Sequence, residues 1–319
     1  MKISHSRIID FLIGNDIKFE EITASNFAME QEYTFASTKN PIAEGFYFIS
    51  KEYLVTAENV SESIILTDAE KAEVNDIKNS YVLVENPQLV HYKLAALFTN
   101  QNKSGIHETA IISKDAKISP TAYIGPFCII ENCVVGDFVQ LISNVTLRDN
   151  VVIKENTIIE GNSVIGARGM AWIWDTDGKR IIQPQTGGVI IGANCIIGTD
   201  ISIVRGSLSE NTKVGDNTII AHGTKIGHGS NIGSHVHIAN NVSLAGNAHI
   251  GDRTFLGSAC VVSSNVSIAP NCIVGAGAVV SKSVAIEYAT LAGVPAKIIK
   301  TENYKDKPKG APKPFLKDK

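Results

Sequence analysis

No stretch of the chain reaches the roughly 18 uninterrupted apolar residues that a membrane-spanning helix needs. Its first residues lack a basic region followed by an apolar core, the pattern of a secretory leader. A cytoplasmic protein without a membrane span is the expectation. No Cys-x-x-Cys pair occurs among the five cysteines, Cys128, Cys133, Cys195, Cys260 and Cys272, which speaks against zinc and dithiol chemistry. An excess of positive charge is missing as well. A net charge of −3 and a pI near 6.3 give no electrostatic footprint for nucleic acid. The 319 residues, 44% of them hydrophobic, describe a globular chain long enough for two or three domains.

What is present is a six-residue repeat. From Ile226 it reads Ile-Gly-His-Gly-Ser-Asn, Ile-Gly-Ser-His-Val-His, Ile-Ala-Asn-Asn-Val-Ser, Leu-Ala-Gly-Asn-Ala-His, Ile-Gly-Asp-Arg-Thr-Phe and Leu-Gly-Ser-Ala-Cys-Val. The first position is aliphatic, the second small, the fifth small or β-branched. That is the hexapeptide signature of a parallel β-helix, in which three short strands make one triangular coil. The aliphatic residue points inward and stacks on its equivalents above and below. The small second residue lets the backbone turn the corner, where a larger side chain clashes or demands an unfavourable φ. Each coil buries its apolar surface only against its neighbours, so the run must be long. It begins with Ile106, Ile112, Ile118, Ile124 and Ile130 and slips by one residue. It continues through Val135, Leu141, Leu147, Ile153, Ile159 and Ile165. It breaks from about Ala167 to Gly188, resumes at Ile191 and Ile197, slips again near Ile203–Leu208, and holds from Val214 to about Val280. The cysteines fall at or near fifth positions, as small buried residues do.

The domains expected are therefore 1–103, a small α/β domain; 104–285, the β-helix with an insertion at 167–188; and 286–319, a C-terminal extension. In the first, Ser4–Leu12 suggests a helix capped by Ser4 or Ser6. Phe46–Ser50, Ser63–Thr67 and Ser80–Val84 suggest strands, and Gln88–Phe98 a helix opened by Asn86-Pro87. This domain either covers the first coil and blocks edge pairing or binds part of a substrate. The insertion holds both tryptophans of the chain, Trp172 and Trp174, with Arg168, Arg180 and an Asp177-Gly178 turn signal. It either covers a ligand, as solenoid insertions often do, or packs on a neighbouring subunit.

Five of the eight histidines fall between His222 and His249: His222, His228, His235, His237 and His249. Histidine is the natural general base near neutral pH. His222 and His228 occupy corresponding third positions on adjacent faces, so they do not share one face as a metal pair would. No histidine lies between His107 and His222 to complete a site from upstream. No metal is expected.

The ordered set of motifs resembles the UDP-3-O-acylglucosamine N-acyltransferases of lipid A synthesis. Phe48-Ile-Ser-Lys-Glu-Tyr53 and Val84-Glu-Asn-Pro are similar to their uridine-binding domain. Gly166-Ala-Arg-Gly and Pro184-Gln-Thr-Gly-Gly-Val-Ile-Ile-Gly are similar to their interrupting loop. Ile219-Ile-Ala-His-Gly-Thr-Lys-Ile-Gly-His228 resembles the segment whose catalytic histidine falls on His228. The strict frame implies the left-handed form of the helix found in those proteins. Departures are specific. Ala221 stands where that family has an acidic residue, the asparagine between its uracil-contacting Phe and Tyr is missing, and Asn265 replaces a second histidine. The end departs further. Ala292-Gly-Val-Pro-Ala-Lys297 and a Lys/Pro-rich tail from Thr301 replace a long C-terminal helix. They resemble a sister group, the nucleotide-sugar N-acetyltransferases that use acetyl-CoA. That group also matches His228-x3-Ile-Gly-x3-His237-Ile-Ala and again nominates His228, with Gly227 where it has an acidic residue.

The resemblance implies transfer of a short or 3-hydroxylated acyl group from acyl-CoA to the amine of a dTDP- or UDP-linked amino sugar, for surface polysaccharide, in a homotrimer. His228 is the expected base. Phe48 and Tyr53 are expected on the nucleotide base, with Trp172, Trp174, Arg205 and His222 as further substrate contacts. His237, Gly246, Gly257, Gly275, Gly277 and Lys297 are expected along the acyl-CoA, with Gly246 N–H beside the oxyanion. The alternatives are the lipid A reaction with a 3-hydroxyacyl carrier protein, and a β-helix scaffold without catalysis.

Overall fold

A computed structural model describes residues 1–24, 30–74, 78–99, 103–302 and 310–312. Contacts divide the chain into two units, Met1–Gln101 and Asn102–Lys319.

The second unit is a left-handed parallel β-helix with three faces. Face one runs from Gly105–Ile106 to Ala289–Ala292 and ends in the antiparallel strand Lys297–Thr301. Face two runs from Ile111–Ile112 to Val279–Val280. Face three runs from Lys117–Ile118 to Ser267–Ile268. Most strands are two residues long, one pointing in and one out. On face one Ile124, Leu141, Ile159, Ile197, Ile220 and Ile238 stand in one register column, and all are buried. Burying such a side chain is worth about 1.5–3 kcal/mol, and each one gains it only from the coils above and below.

Fifth positions occupied by hydroxyls are equally buried. Thr157 Oγ1 donates to Gly192 O at 2.8 Å and accepts from Cys195 N at 3.1 Å, and Thr218 Oγ1 donates to Gly233 O at 3.0 Å. A buried polar group must be paired, and these pairs tie one coil to the next. The five cysteines are buried and free, and burial pushes the Cys133 thiol up to about 11 and the Cys260 thiol to about 12.

Of the two reasons for a small residue at the corner, clash and φ, the structure supports the clash. The second-position glycine is required by close approach rather than by φ. A Cβ on Gly227 would stand 2.5 Å from Gly246 N of the next coil. The left-handed φ falls two residues later, on the fourth position, where Asn144, Asn150, Asn156 and Asn162 have φ between 52° and 63°. Asparagine tolerates that region.

The first unit is a six-stranded sheet in the order Lys2–Ser4, Glu32–Phe35, Gly45–Phe48, Ile64–Thr67, Ser80–Val84, Phe19–Ile22, parallel in the middle and antiparallel at both edges. The first helix is His5–Gly14, with Ser4 Oγ accepting from Arg7 N, and the second is Pro87–Thr99. Three edge-side strands and a 3₁₀ segment, Lys51–Asn59, carry no alternating apolar pattern strong enough to read from sequence. The Lys/Pro-rich tail beyond Glu302 lies outside the described residues apart from Gly310, Ala311 and Pro312.

Candidate functional site

One edge of the β-helix collects every irregularity of the repeat. After Val164–Ala167 the chain leaves the corner between faces two and three and returns at Val189–Ile191. One coil later it leaves again after Ser202–Val204 and returns at Thr212–Val214. The next coil carries His228 at this corner, between Lys225–Ile226 and Asn231–Ile232. The break at 167–188, the second frame slip and the candidate base therefore stack on consecutive coils.

His228 is held from two sides. Its Nδ1 lies 3.2 Å from Ser207 Oγ. Its ring lies over Gly246, where a Cβ would stand 2.5 Å from Nε2 and 2.9 Å from the adjoining ring carbons. Only glycine admits the ring there. Ser207 is itself fixed by its own loop. Glu210 accepts from Ser207 N at 2.7 Å and from Leu208 N at 3.1 Å, and Thr186 N donates to Ser207 O at 2.9 Å. Backbone N–H groups, the first its own and then those of Leu208 and Ser207, hold the Glu210 carboxyl down at about 2. No carboxylate is recorded on His228 among the described residues. Ser207 meets the nitrogen where an acidic residue was absent from the sequence at Ala221 and Gly227. Sequence reading missed Ser207 and Glu210, because they fall in a slip of the frame; the signal was that the slip follows the break by one coil.

Arg205 is buried. Its Nε donates to Gly166 O at 2.9 Å and one Nη to Asp149 O at 2.8 Å, so it pins two earlier corners. It also lines a cavity of about 430 Å³ with Arg148, Arg168, Glu131 and Asp149, and Arg148 is paired to Glu131. The insertion is a hairpin, Trp172–Trp174 against Arg180–Ile182, closed by Asp175 and Gly178. Trp172 and Trp174 meet edge to face at 4.8 Å, and the Arg180 guanidinium stands 4.8 and 5.4 Å from their centroids. Both tryptophans, Ile173, Ile181 and Ile182 are exposed.

The other histidines are dispersed. His222 occupies the corner between faces one and two, where Thr199 N donates to its Nδ1 at 3.0 Å. Its neutral ring therefore carries the proton on Nε2 and presents a donor. His235 sits between faces three and one, and His249 points out from face three. Among the described residues no three His, Cys, Asp or Glu side chains come together as a metal site. His237 is on the outside of face one, edge to face with Phe255 at 5.1 Å, and burial lowers its pKa. It lines a groove of about 800 Å³ with Phe255, Gly257, Ile273 and Gly275; Gly310, Ala311 and Pro312 line the same groove. Gly277, at φ 67°, follows just beyond. Lys297 is exposed on the last strand. The structure thus brings His237, Gly257 and Gly275 together and sets Gly246 apart, under His228.

In the first unit Phe48 is half-buried against the core, 5.2 Å from His91 and 5.8 Å from Tyr92. Tyr53 stands exposed at a kink in the 3₁₀ segment.

The family model described as Bacterial transferase hexapeptide (six repeats) matches residues 209–246 and 247–282. Over 190 residues the chain is 30% identical to a UDP-3-O-acylglucosamine N-acyltransferase of Coxiella burnetii, covering 53% of this chain and 55% of that one. It is 28% identical to the enzyme of the same name from Pseudomonas entomophila over 190 residues, 53% of each. The chain spans about half the length of these curated relatives. Among solved structures, the UDP-N-acetylglucosamine acyltransferase of Francisella novicida superposes with a TM-score of 0.56 at 32% identity, covering 62% of this chain and 70% of that one. The UDP-N-acetylglucosamine O-acyltransferase of Moraxella catarrhalis gives 0.56 at 29%, covering 60% and 73%.

Proposed function

Because the chain belongs to the bacterial hexapeptide transferase family, we propose that it is an N-acyltransferase that moves a short or 3-hydroxylated acyl group from acyl-CoA to the amine of a dTDP- or UDP-linked amino sugar destined for surface polysaccharide. The observation that carries the reading is the corner at His228, where a histidine held through Nδ1 shares its edge with both excursions of the chain.

The chemistry follows from that geometry. With Nδ1–H donated to Ser207 Oγ, Nε2 keeps a lone pair. The sugar amine attacks the thioester carbonyl and its nitrogen becomes cationic as the C–N bond forms. Nε2 takes that proton. The tetrahedral intermediate collapses by breaking the C–S bond, and the departing thiolate takes the proton back from His228. The oxyanion needs a preorganised donor, and Gly246 N–H, beside the ring, fills that role. His237, Gly257, Gly275 and Gly277 would flank the pantetheine arm, with Lys297 near the CoA phosphates. In one chain the groove over His237 and the corner at His228 lie on different sides of the coil, so the reading calls for a homotrimer in which the corner of one copy meets the groove of the next. Trp172, Trp174, Arg205 and His222 would line the acceptor's side, and Phe48 and Tyr53 would stack on the nucleotide base.

The second reading is the lipid A reaction with a 3-hydroxyacyl carrier protein. The names of the Coxiella and Pseudomonas relatives support it as well as they support the first. The test is kcat/KM for acetyl-CoA, 3-hydroxybutanoyl-CoA and a long-chain 3-hydroxyacyl carrier protein with one nucleotide amino sugar. A tenfold advantage for acyl-CoA, about 1.4 kcal/mol of transition-state preference, is expected. The same advantage for the carrier protein establishes the second reading and overturns the first. No turnover with any donor overturns both.

A further inference from the structure

The cavity of about 430 Å³ on the His228 edge is lined by three arginines, Arg148, Arg168 and Arg205, and by two carboxylates, Glu131 and Asp149. Both carboxylates are already engaged. Glu131 pairs with Arg148 and accepts from Asp149 N at 3.1 Å. Asp149 accepts from Asn132 N at 3.2 Å. The other two guanidiniums meet no anion among the described residues. Arg205 is 8% exposed, and the partners of its Nε and one Nη are backbone carbonyls. Arg168 is exposed, with no hydrogen bond or ion pair among the described residues. A buried charge is costly unless it is paired, and carbonyl dipoles bring no opposite charge. Three guanidiniums against two carboxylates leave one positive charge on the cavity.

That balance selects the ligand group. The diphosphate of a nucleotide sugar brings two negative charges, which would leave one in excess beside Glu131 and Asp149 and repel them. A hydroxyl or an amide brings none and leaves Arg205 uncompensated. A carboxylate brings one, and its two oxygens match the planar fork of an arginine. The reach also fits. Arg205 follows Ser202–Val204, one coil before the His228 coil, and Arg168 follows Val164–Ala167, two coils before it. A hexose ring with an exocyclic carboxyl spans between one and two strand spacings of about 4.8 Å. A sugar whose carboxylate lies between Arg205 and Arg168 therefore brings an amine on the far side of its ring to His228.

We propose that Arg168 and Arg205 form a carboxylate subsite, so that the acceptor is an amino sugar with an acid group on its ring. This rests on the reading of the chain as an amino-sugar N-acyltransferase, and it names the class of sugar.

The test measures equilibrium Kd on the full chain for three sugars, each carried on UDP and on dTDP: glucosamine, 2-amino-2-deoxyglucuronic acid and the uncharged amide of that acid. The acid is expected to bind at least tenfold tighter than the other two. Arg168→Gln, at an exposed position without a bond to lose, is expected to bring that ratio to near one. Arg168→Lys, which keeps the charge and loses the fork, is expected to restore part of it. No preference in the parent chain, or a preference that survives Arg168→Gln, overturns the subsite while leaving N-acyl transfer standing. Equal weakening of all three sugars by Arg168→Gln assigns the cavity to the diphosphate and overturns the carboxylate. An Arg168-dependent preference without turnover by any acyl donor overturns the transferase reading and leaves the subsite standing. Failure of all three sugars to bind overturns both.

Discussion

At the corner between faces one and two, His222 receives the Thr199 N–H on Nδ1. At the next corner, one hexapeptide on, His228 meets only a hydroxyl, Ser207 Oγ. The repeat treats the two positions as equivalent, yet a backbone N–H can only donate and a hydroxyl can do either. His222 is locked with its proton on Nε2, so its outer nitrogen is a donor in the neutral state. His228 can place its proton on Nδ1 and leave Nε2 basic. Regular coil thus makes a fixed donor, and the irregular edge makes a candidate base. The difference comes from the excursion at 205–211, which swings a serine from the preceding coil to the ring.

The sharpest break of this comparison is His228→Asn. Removal of the proposed base is expected to cut kcat by roughly 10²–10⁴-fold with the fold intact by circular dichroism. Near-parental turnover in that variant would transfer the role to His222. Next is Gly246→Ala, whose Cβ would stand 2.5 Å from His228 Nε2. Displacing the ring by that clash is expected to lower kcat by roughly 10²-fold, with a smaller change in KM. A parental kcat there would mean that the ring position does not matter. Ser207→Ala should lower kcat by about 3–10-fold and change the acid limb of the kcat/KM–pH profile, because proton transfer depends on the basicity of the group; a structural role alone would leave the profile in place. His222→Asn should change kcat by less than about threefold, since a donor replaces a donor.

The smallest effect concerns stability. Burial lowers the His237 pKa below its unfolded value, so the unfolded chain binds the proton first as pH falls. Stability is complete above the unfolded value, about 6.5, and declines below it until the folded group also titrates. His237→Gln should flatten that part of the urea-midpoint curve between about pH 7 and pH 5, and an identical curve would contradict the burial effect.

The coils were legible because packing imposes Ile, Val or Leu at first positions turn after turn, with Gly or another small residue at many of the second positions. Even the frame errors were visible, at Ala167–Gly188 and Ile203–Leu208. What they built was not. A slip shows that chain leaves the coil, and only the folded chain shows that Ser207 comes back onto His228. The histidine cluster misled in a related way. Its members are close in sequence and occupy three corners and two faces, since a solenoid converts short sequence intervals into rotation about its axis. In the first unit the helices were legible from Ser4 and Asn86-Pro87, while Phe19–Ile22 and Glu32–Phe35 alternate too weakly to stand out.

The second-face strands of the hairpin coil, the Ser207 coil and the His228 coil pair directly with one another, so these groups are indexed along the axis. Adjacent strands are about 4.8 Å apart, which sets the hairpin root about 10 Å below the base along the stack. The β-helix therefore acts as a ruler graduated in whole coils. Within a coil, a substitution can only reshape the space at one graduation. Changing the distance along the axis between the hairpin root and the His228 ring requires inserting or deleting a full turn of about 18 residues, which shifts it in one step and leaves every inward aliphatic in its column.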